Sequence, residues 1–266
     1  MQKIDRQTIA DFGDQWRRYT DNAGSYGSLN LLADFVEPLL PLAEIAGKNV
    51  AEIGAGTGRI VSMLCEAGAA HVTAIEPSDA FAVLLDNTRK HGSRVTCIQA
   101  TGEQIPPGNF DLVISIGVIH HIVDPLPTLQ AARRALKPEG KVLIWVYGRE
   151  GNLAYLSAVL PLRAMVRSLP HPVIAALAAA LEWPLRGYIA LCRWLPLPLR
   201  DYALSVLRPI GPEKRRLVIY DQLRPAYSKY YRKNEVRELL GRAGFVNVQL
   251  FHRHGYSWTG VGEIPA

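Results

Sequence analysis

The sequence predicts a doubly wound α/β sheet, and three observations lead there. Between Asn49 and Tyr147 short apolar runs alternate with stretches of helical period, the pattern of βαβ units feeding a mostly parallel sheet. The first of these runs passes straight into Gly54-Ala-Gly-Thr-Gly58, where a helix begins. Near the end of the chain two strand-like runs meet at Gly255, which reads as a β-hairpin.

Taken in order, residues 1–47 form a helical leader, with a polar start, the stretch Asp11 to Tyr19, and an apolar helix near 29–40 that stops by Pro41. Strands are expected at 49–53, 71–75, 94–99, 110–116 and 141–147, separated by helices at about 59–67, 79–91 and 125–136, so that 48–148 is the α/β core. The turn Lys137-Pro-Glu-Gly140 stops one helix and launches the fifth strand, proline being unable to continue a helix and Gly140 accepting the positive φ of a cap. The rhythm then lapses over 149–224, where nine prolines fall between Pro161 and Pro225, so this segment is an inserted helical cap. A helix at 233–243, a break at Gly244, and strands at 245–252 and 256–261 complete the core within 225–266.

With 266 residues, 48% hydrophobic and 20% charged, the chain is one sizeable domain with an insertion rather than two complete domains. Cys65, Cys97 and Cys192 stand apart without CxxC spacing, which argues against a disulfide framework and a structural zinc site, and no metal ligand set is expected. A reducing cytoplasm fits, since residues 1–14 lack the basic start and apolar stretch of a signal peptide. The net charge of +6 resides entirely in 149–224, with eleven Lys and Arg against five Asp and Glu, while the remaining residues balance at nineteen of each.

The glycine loop carries the chemistry. Alternating glycines tolerate unusual φ/ψ and let a ligand approach the backbone where a Cβ would clash. A glycine-rich loop after a strand is by itself shared with NAD-binding proteins. Two acids sharpen it here: Glu52 just before the loop, and Glu76 at the end of the next strand, where a carboxylate can accept both hydroxyls of a ribose. Capping and solvated-loop roles are the ordinary alternatives for these two acids.

On these residues the chain resembles the class I S-adenosylmethionine-dependent methyltransferases, and looks similar to the small-molecule group of ubiquinone and menaquinone biosynthesis, strongly over 49–147 and more loosely over 233–261. The resemblance implies a seven-stranded Rossmann-like methyltransferase sheet whose last strand is antiparallel, and S-adenosylmethionine as cofactor with S-adenosylhomocysteine as product. It implies that Glu52 holds the methionine amino end through water or backbone, that Gly54, Ala55, Gly56, Thr57 and Gly58 line the methionine and ribose, and that Glu76 with Pro77 binds the ribose. Thr101, Gly102 and Glu103 stand at the adenine turn, Thr101 where many relatives carry aspartate, and Ile116 and Gly117 close the fourth strand. Asp111 is expected to tether neighbouring backbone.

His120 and His121 follow the fourth strand, at the sheet edge where ligands of open α/β folds bind. A histidine there could take a proton from a phenol, hydroxyl or amine as the methyl arrives; packing on the cofactor or helix capping is the structural alternative. Trp16, Tyr19 and Tyr26 could fold over the cofactor as a lid or pack on the sheet, and Tyr227, Tyr230, Tyr231, His252 and His254 could line a pocket or close a core.

The expected activity is methyl transfer to a small or lipid-like organic acceptor, with oxygen the expected atom. The competing readings are a non-catalytic S-adenosylmethionine- or NAD-binding protein and a nucleic-acid methyltransferase. Nucleic acid is disfavoured, because the arginines of the insertion are interleaved with leucines and no base-methylation signature follows the fourth strand. The insertion reads as helical pieces of about 11 to 18 residues, most too short for the roughly 30 Å of a bilayer core. They could line an acceptor tunnel, lie on an anionic membrane surface, bury a homodimer interface, or simply pack as a cap.

Overall fold

The computed structural model describes residues 3–265; residues 1 and 2 of the expected leader and residue 266 lie outside the described residues. Seven strands form one sheet: β1 (Asn49–Ile53), β2 (His71–Ile75), β3 (Val95–Ile98), β4 (Phe110–Ile116), β5 (Leu136–Tyr147), β6 (Val246–Arg253) and β7 (Ser257–Glu263), in the order β3-β2-β1-β4-β5-β7-β6. The first five are parallel, and β7 runs antiparallel to both β5 and β6. The expected seven-stranded sheet with its hairpin is therefore present. Strand order reverses between β1 and β4, which opens a crevice beyond their carboxyl ends.

The helices are α1 (Lys3–Arg18), α2 (Leu29–Val36), α3 (Arg59–Glu66), α4 (Phe81–Thr88), α5 (Leu126–Ala135), α6 (Leu153–Val166), α7 (His171–Leu191), α8 (Arg200–Tyr202), α9 (Pro212–Leu223) and α10 (Lys233–Arg242). β1 and β2 are buried along all but their first residue, as strands covered on both faces must be. Leu32 and Val36 of α2 and Ile60 and Leu64 of α3 cover one face. Leu129 and Ala132 of α5 and Val236 and Leu240 of α10 cover the other. Each such leucine or isoleucine contributes about 1.5–3 kcal/mol relative to exposure, and together they fix the strand ends that carry the site.

Three expectations need correction. The positive φ in Lys137-Pro-Glu-Gly140 falls on Glu139, at 64°, not on Gly140. Residues 137–140 bulge out of the ladder, since Leu136 still pairs with Phe110 and Lys141 with Leu112. Glycine is needed at 140 for space, because a Cβ there would stand 2.9 Å from the Lys137 carbonyl oxygen. The apolar leader helix ends at Val36, ahead of Pro38, which disfavours helical geometry in the residue before it. In the cap, α7 runs 21 residues straight through Pro184 and exceeds the expected pieces. The lost backbone donor costs about 3 kcal/mol, against which α7 packs on α9 through the Glu182–Arg215 ion pair at 2.7 Å.

Candidate functional site

At the end of β1 the chain turns through Gly54, Gly56 and Gly58, with φ of 79°, 52° and 80°, a region open to glycine at little cost. Gly54 is doubly required, since a Cβ there would lie 2.3 Å from Cγ2 of Val118. The loop is fastened from the neighbouring strand. Gly54 and Ala55 donate to the Ile75 carbonyl at 2.8 and 3.0 Å, and Gly56 donates to Oε2 of Glu76 at 2.7 Å. The other oxygen of Glu76 accepts from the Ser78 amide at 2.9 Å.

Above this loop lies a cavity of about 560 Å³, and twelve of the thirteen residues expected at a cofactor site line it. The exception is Gly58. It turns away from the cavity, toward Leu84 and Thr88 of α4, where a Cβ would meet Thr88 Cγ2 at 2.8 Å. Its glycine serves the left-handed entry to α3 and the close α3–α4 approach. Thr101 spends its side chain locally, its hydroxyl and backbone amide both on Oε1 of Gln104. Gly102 has no room for a Cβ, which would lie 2.7 Å from Ile53 and from Thr128.

Glu52 is 1% exposed, and its Oε2 is buried without a hydrogen-bond partner among the described residues. Burial pushes its carboxyl up to about 8; Arg59 works against this and Glu76 adds to it. Asp111, by contrast, accepts from the Asn49 amide at 2.8 Å and from Lys137 at 3.2 Å, a tether between strands as expected.

The leader roofs the cavity. Phe12 and Trp16 of α1 line it, and Trp16 sits over Gly56, whose added Cβ would lie 3.3 Å from the indole nitrogen. Asn22 exchanges side-chain hydrogen bonds with the hydroxyl and carbonyl of Thr57 at 2.8 and 3.1 Å. Tyr26 stacks under Arg59, 4.2 Å from ring centroid to guanidinium carbon. Tyr19 instead packs on His171 and Tyr220.

A second cavity of about 400 Å³ lies between core and cap, and shares Phe12, Trp16, Arg59, Ile116, Gly117 and His121 with the first. Its walls are mostly aliphatic and aromatic, supplied by α6, α7, α9 and the end of β5. Asp221 of α9 projects a carboxyl into it and accepts from the side-chain amide of Gln15. Burial raises this carboxyl to about 7, while Gln15 and Arg59 pull the other way. Tyr147, Gln222 and Tyr230 form a hydrogen-bonded edge. Of the residues left ambiguous by sequence, Trp16, Tyr26 and Tyr230 line this cavity. Tyr231 is core, His252 stacks on Trp258, and His254 bonds to Asp34.

Sequence reasoning missed Arg59, Gln15 and Asp221. Arg59 directly follows the loop and was open to suspicion. Gln15 and Asp221 meet only through the tertiary fold.

The two histidines part company. His120 is fully buried and lines neither cavity, its ring 3.9 Å from that of Tyr147 and both ring nitrogens without hydrogen-bond partners among the described residues. Burial, helped by the His121 and Arg163 charges, holds it well below the usual histidine range. That position gives it packing against Tyr147, while His121 is the one of the pair that lines the cavities. His121 borders both cavities. Its Nδ1 lies 2.8 Å from the Tyr227 carbonyl oxygen and 3.1 Å from Oγ of Ser228. A carbonyl only accepts, so Nδ1 carries the proton and Nε2 the lone pair. Burial lowers His121 to about 4; the Tyr227 bond opposes this and Arg163 adds to it.

Comparison with known proteins agrees with this architecture. A family model described as a methyltransferase domain matches residues 51–144. The ubiquinone biosynthesis O-methyltransferase of Pseudomonas aeruginosa (strain UCBPP-PA14) is 31% identical over 176 residues, covering 64% of this chain and 75% of that protein. Among solved structures, the magnesium protoporphyrin IX methyltransferase of Synechocystis PCC 6803, with bound S-adenosylhomocysteine, superposes with a TM-score of 0.53 at 15% identity, over 95% of this chain and 94% of that one. The pyocyanin biosynthetic protein PhzM gives 0.54 at 18% identity over 89% of this chain, which spans 55% of that one. Together with the glycine loop, the strand order and the antiparallel β7, these matches place the chain in the class I S-adenosylmethionine-dependent methyltransferases.

Proposed function

We propose that this methyltransferase O-methylates a small, largely apolar acceptor seated in the second cavity, with His121 as the proton acceptor. The observation that carries this reading is the imidazole held through Nδ1 by Tyr227, with the Nε2 lone pair left on a side chain that borders both cavities. The name of the Pseudomonas relative supports oxygen as the methylated atom.

S-adenosylmethionine supplies a methyl group on a sulfonium, activated for in-line displacement, so alignment provides much of the rate. The residues present fit it. Glu52 would hold the methionine ammonium on its unpartnered Oε2, a buried polar atom that a cationic donor satisfies. Gly54 to Thr57 give the methionine and ribose close access to the backbone. Each Glu76 oxygen, already holding one backbone amide, keeps a lone pair for a ribose hydroxyl, with Pro77 alongside. Thr101, Gly102 and Glu103 would flank the adenine, and Ile116 and Gly117 close the wall near the acceptor.

His121 would take the acceptor hydroxyl proton on Nε2, so that the oxygen could receive the methyl group that S-adenosylmethionine would supply. Asp221 would orient the acceptor by accepting from a second polar hydrogen. Residues 149–224 act as the acceptor-specific cap, with the described part of the leader as roof.

The test is product analysis with methyl-labelled S-adenosylmethionine and a panel of phenols, catechols and amines. O-methyl ethers are expected, and His121→Ala should lower kcat by about 10²–10⁴ with affinity for S-adenosylhomocysteine unchanged. Methylation of amines only, or wild-type turnover of hydroxyl acceptors by the variant, would sink the reading.

A further inference from the structure

The outer face of the cap has no counterpart inside the domain. Along α7 the buried line is Ile174, Ala178, Glu182 and Ile189. The exposed line on the same helix is Val173, Ala176, Ala180, Trp183, Gly187 and Leu191, at spacings of three or four residues, with Arg186 the one charged residue exposed beside it. A helix at a protein–water boundary ordinarily turns its polar stripe outward; this one turns an apolar stripe. Trp183 is 67% exposed, and Trp194, in the turn that follows, is 81% exposed. α6, packed with α7 and α9 around Val166, Ile174 and Tyr220, adds exposed Leu153, Leu160 and Met165. An outer surface of this composition marks an interaction site.

Charge selects the partner. Arg186 lies 5.2 Å from the Trp183 ring centroid and Arg193 lies 6.0 Å from that of Trp194. Arg186 also stands 3.5 Å from Glu182, but it is half exposed, and Glu182 has its closer partner in Arg215. All the excess positive charge of the chain falls in 149–224. Indole rings at headgroup depth with guanidinium groups beside them are what an anionic bilayer interface accepts.

α7 is long and apolar enough to cross a bilayer by length and composition. Its inner face, however, is committed to α9, with the Glu182–Arg215 pair just past its midpoint, so the helix lies along the surface. We infer that the outer face of the cap docks on an anionic lipid bilayer, Trp183 and Trp194 at headgroup depth and Arg186 and Arg193 toward lipid phosphates. The inner sides of the same helices, through Val159, Leu162, Leu181 and Leu185, wall the second cavity, so docking brings that cavity against the bilayer. The inference rests on this surface alone and stands whichever atom is methylated.

The test is co-sedimentation of the full chain with vesicles of phosphatidylcholine alone and of phosphatidylcholine mixed equally with phosphatidylglycerol, with brominated lipid as a fluorescence quencher. Binding to the mixed vesicles, weakened by salt and accompanied by quenching, is expected. The R186Q/R193Q variant should bind them roughly thirtyfold more weakly, about fivefold per basic residue. The W183S/W194S variant should lose both binding and quenching while keeping wild-type affinity for S-adenosylhomocysteine, which shows that it is folded. Absence of binding at low salt overturns the inference, as does binding undiminished in W183S/W194S. Light scattering that shows a dimer which W183S/W194S converts to monomer also overturns it, by giving the face to a second copy of the chain.

Discussion

Gln15 of α1 donates its side-chain amide to Asp221 of α9, joining leader to cap beside the second cavity. This bond holds down a carboxyl that burial raises to about 7. Removing the donor in Gln15→Ala should therefore move Asp221 higher still. If the ionised form receives the acceptor, its KM rises as pH falls through 7, and in Q15A that rise begins at higher pH. Asp221→Asn should raise the acceptor KM roughly tenfold or more, the size of a hydrogen bond to a charged group, and leave cofactor affinity alone. Steady-state kinetics across pH 6–9 measure both; an acceptor KM indifferent to D221N removes Asp221 from recognition.

Glu52 gives a prediction for cofactor binding. Its carboxyl, raised to about 8 by burial, is mostly protonated at pH 7, and an ammonium beside Oε2 favours the ionised form. Binding of S-adenosylhomocysteine at pH 7 should release close to one proton, read by calorimetry in buffers of different ionisation enthalpy. In Glu52→Gln the release should vanish and affinity fall roughly tenfold to hundredfold. The stability sign follows from the same shift: a carboxyl raised above its usual 4.5 stabilises the fold fully below pH 4.5, and this contribution is lost as pH rises through 8. The ligand-free protein should thus gain more from cofactor at pH 8 than at pH 6.

What the sequence made legible and what it hid divide along chain distance. The loop, its three glycines and Glu76 were readable because strand, turn and acid follow one another within a single βαβ unit, and local geometry leaves few other uses for them. Gly58 has a second use that the sequence did not show, because glycine serves close helix packing as well as ligand access, and the position of Thr88 reveals the packing. Asp221 could not be read at all: its meaning comes from Gln15, 206 residues away. Pro184 looked like a break because the sequence shows the missing donor but not the α9 surface that holds the helix together.

His121 predicts acid sensitivity of the opposite sign. Its folded value near 4 lies below the usual 6.5, so the stability it contributes is present above pH 6.5 and lost as pH falls through 4. The full effect is about 3 kcal/mol at about 1.4 kcal/mol per unit. Thermal unfolding of wild type and His121→Phe, followed from pH 7 to 4, should show the steeper decline in wild type. The rate of methyl transfer should stay flat down to about pH 5, because the imidazole remains unprotonated there. A rate that halves near pH 6.5 would mean that His121 titrates as a solvated histidine and that its environment is misread.

Gly54→Ala tests whether the loop geometry or the space above it governs the site. The backbone there has φ of 79°, which costs a residue bearing a Cβ about 1–2 kcal/mol. The new methyl would also meet Val118 Cγ2 at 2.3 Å, and overpacking of that kind costs about 1–3 kcal/mol. Urea denaturation of Gly54→Ala should show a loss of about 2–5 kcal/mol, with cofactor binding weakened because the turn that presents Ala55 and Gly56 must shift. Pairing it with Val118→Ala removes the two γ-carbon collisions, leaving Cβ at 3.1 Å, but not the strain, so the double variant should recover part of the loss. Non-additivity between residues in contact makes that recovery measurable. Full recovery would assign the glycine to space alone; no recovery would assign it to backbone conformation, with Val118 free to move aside.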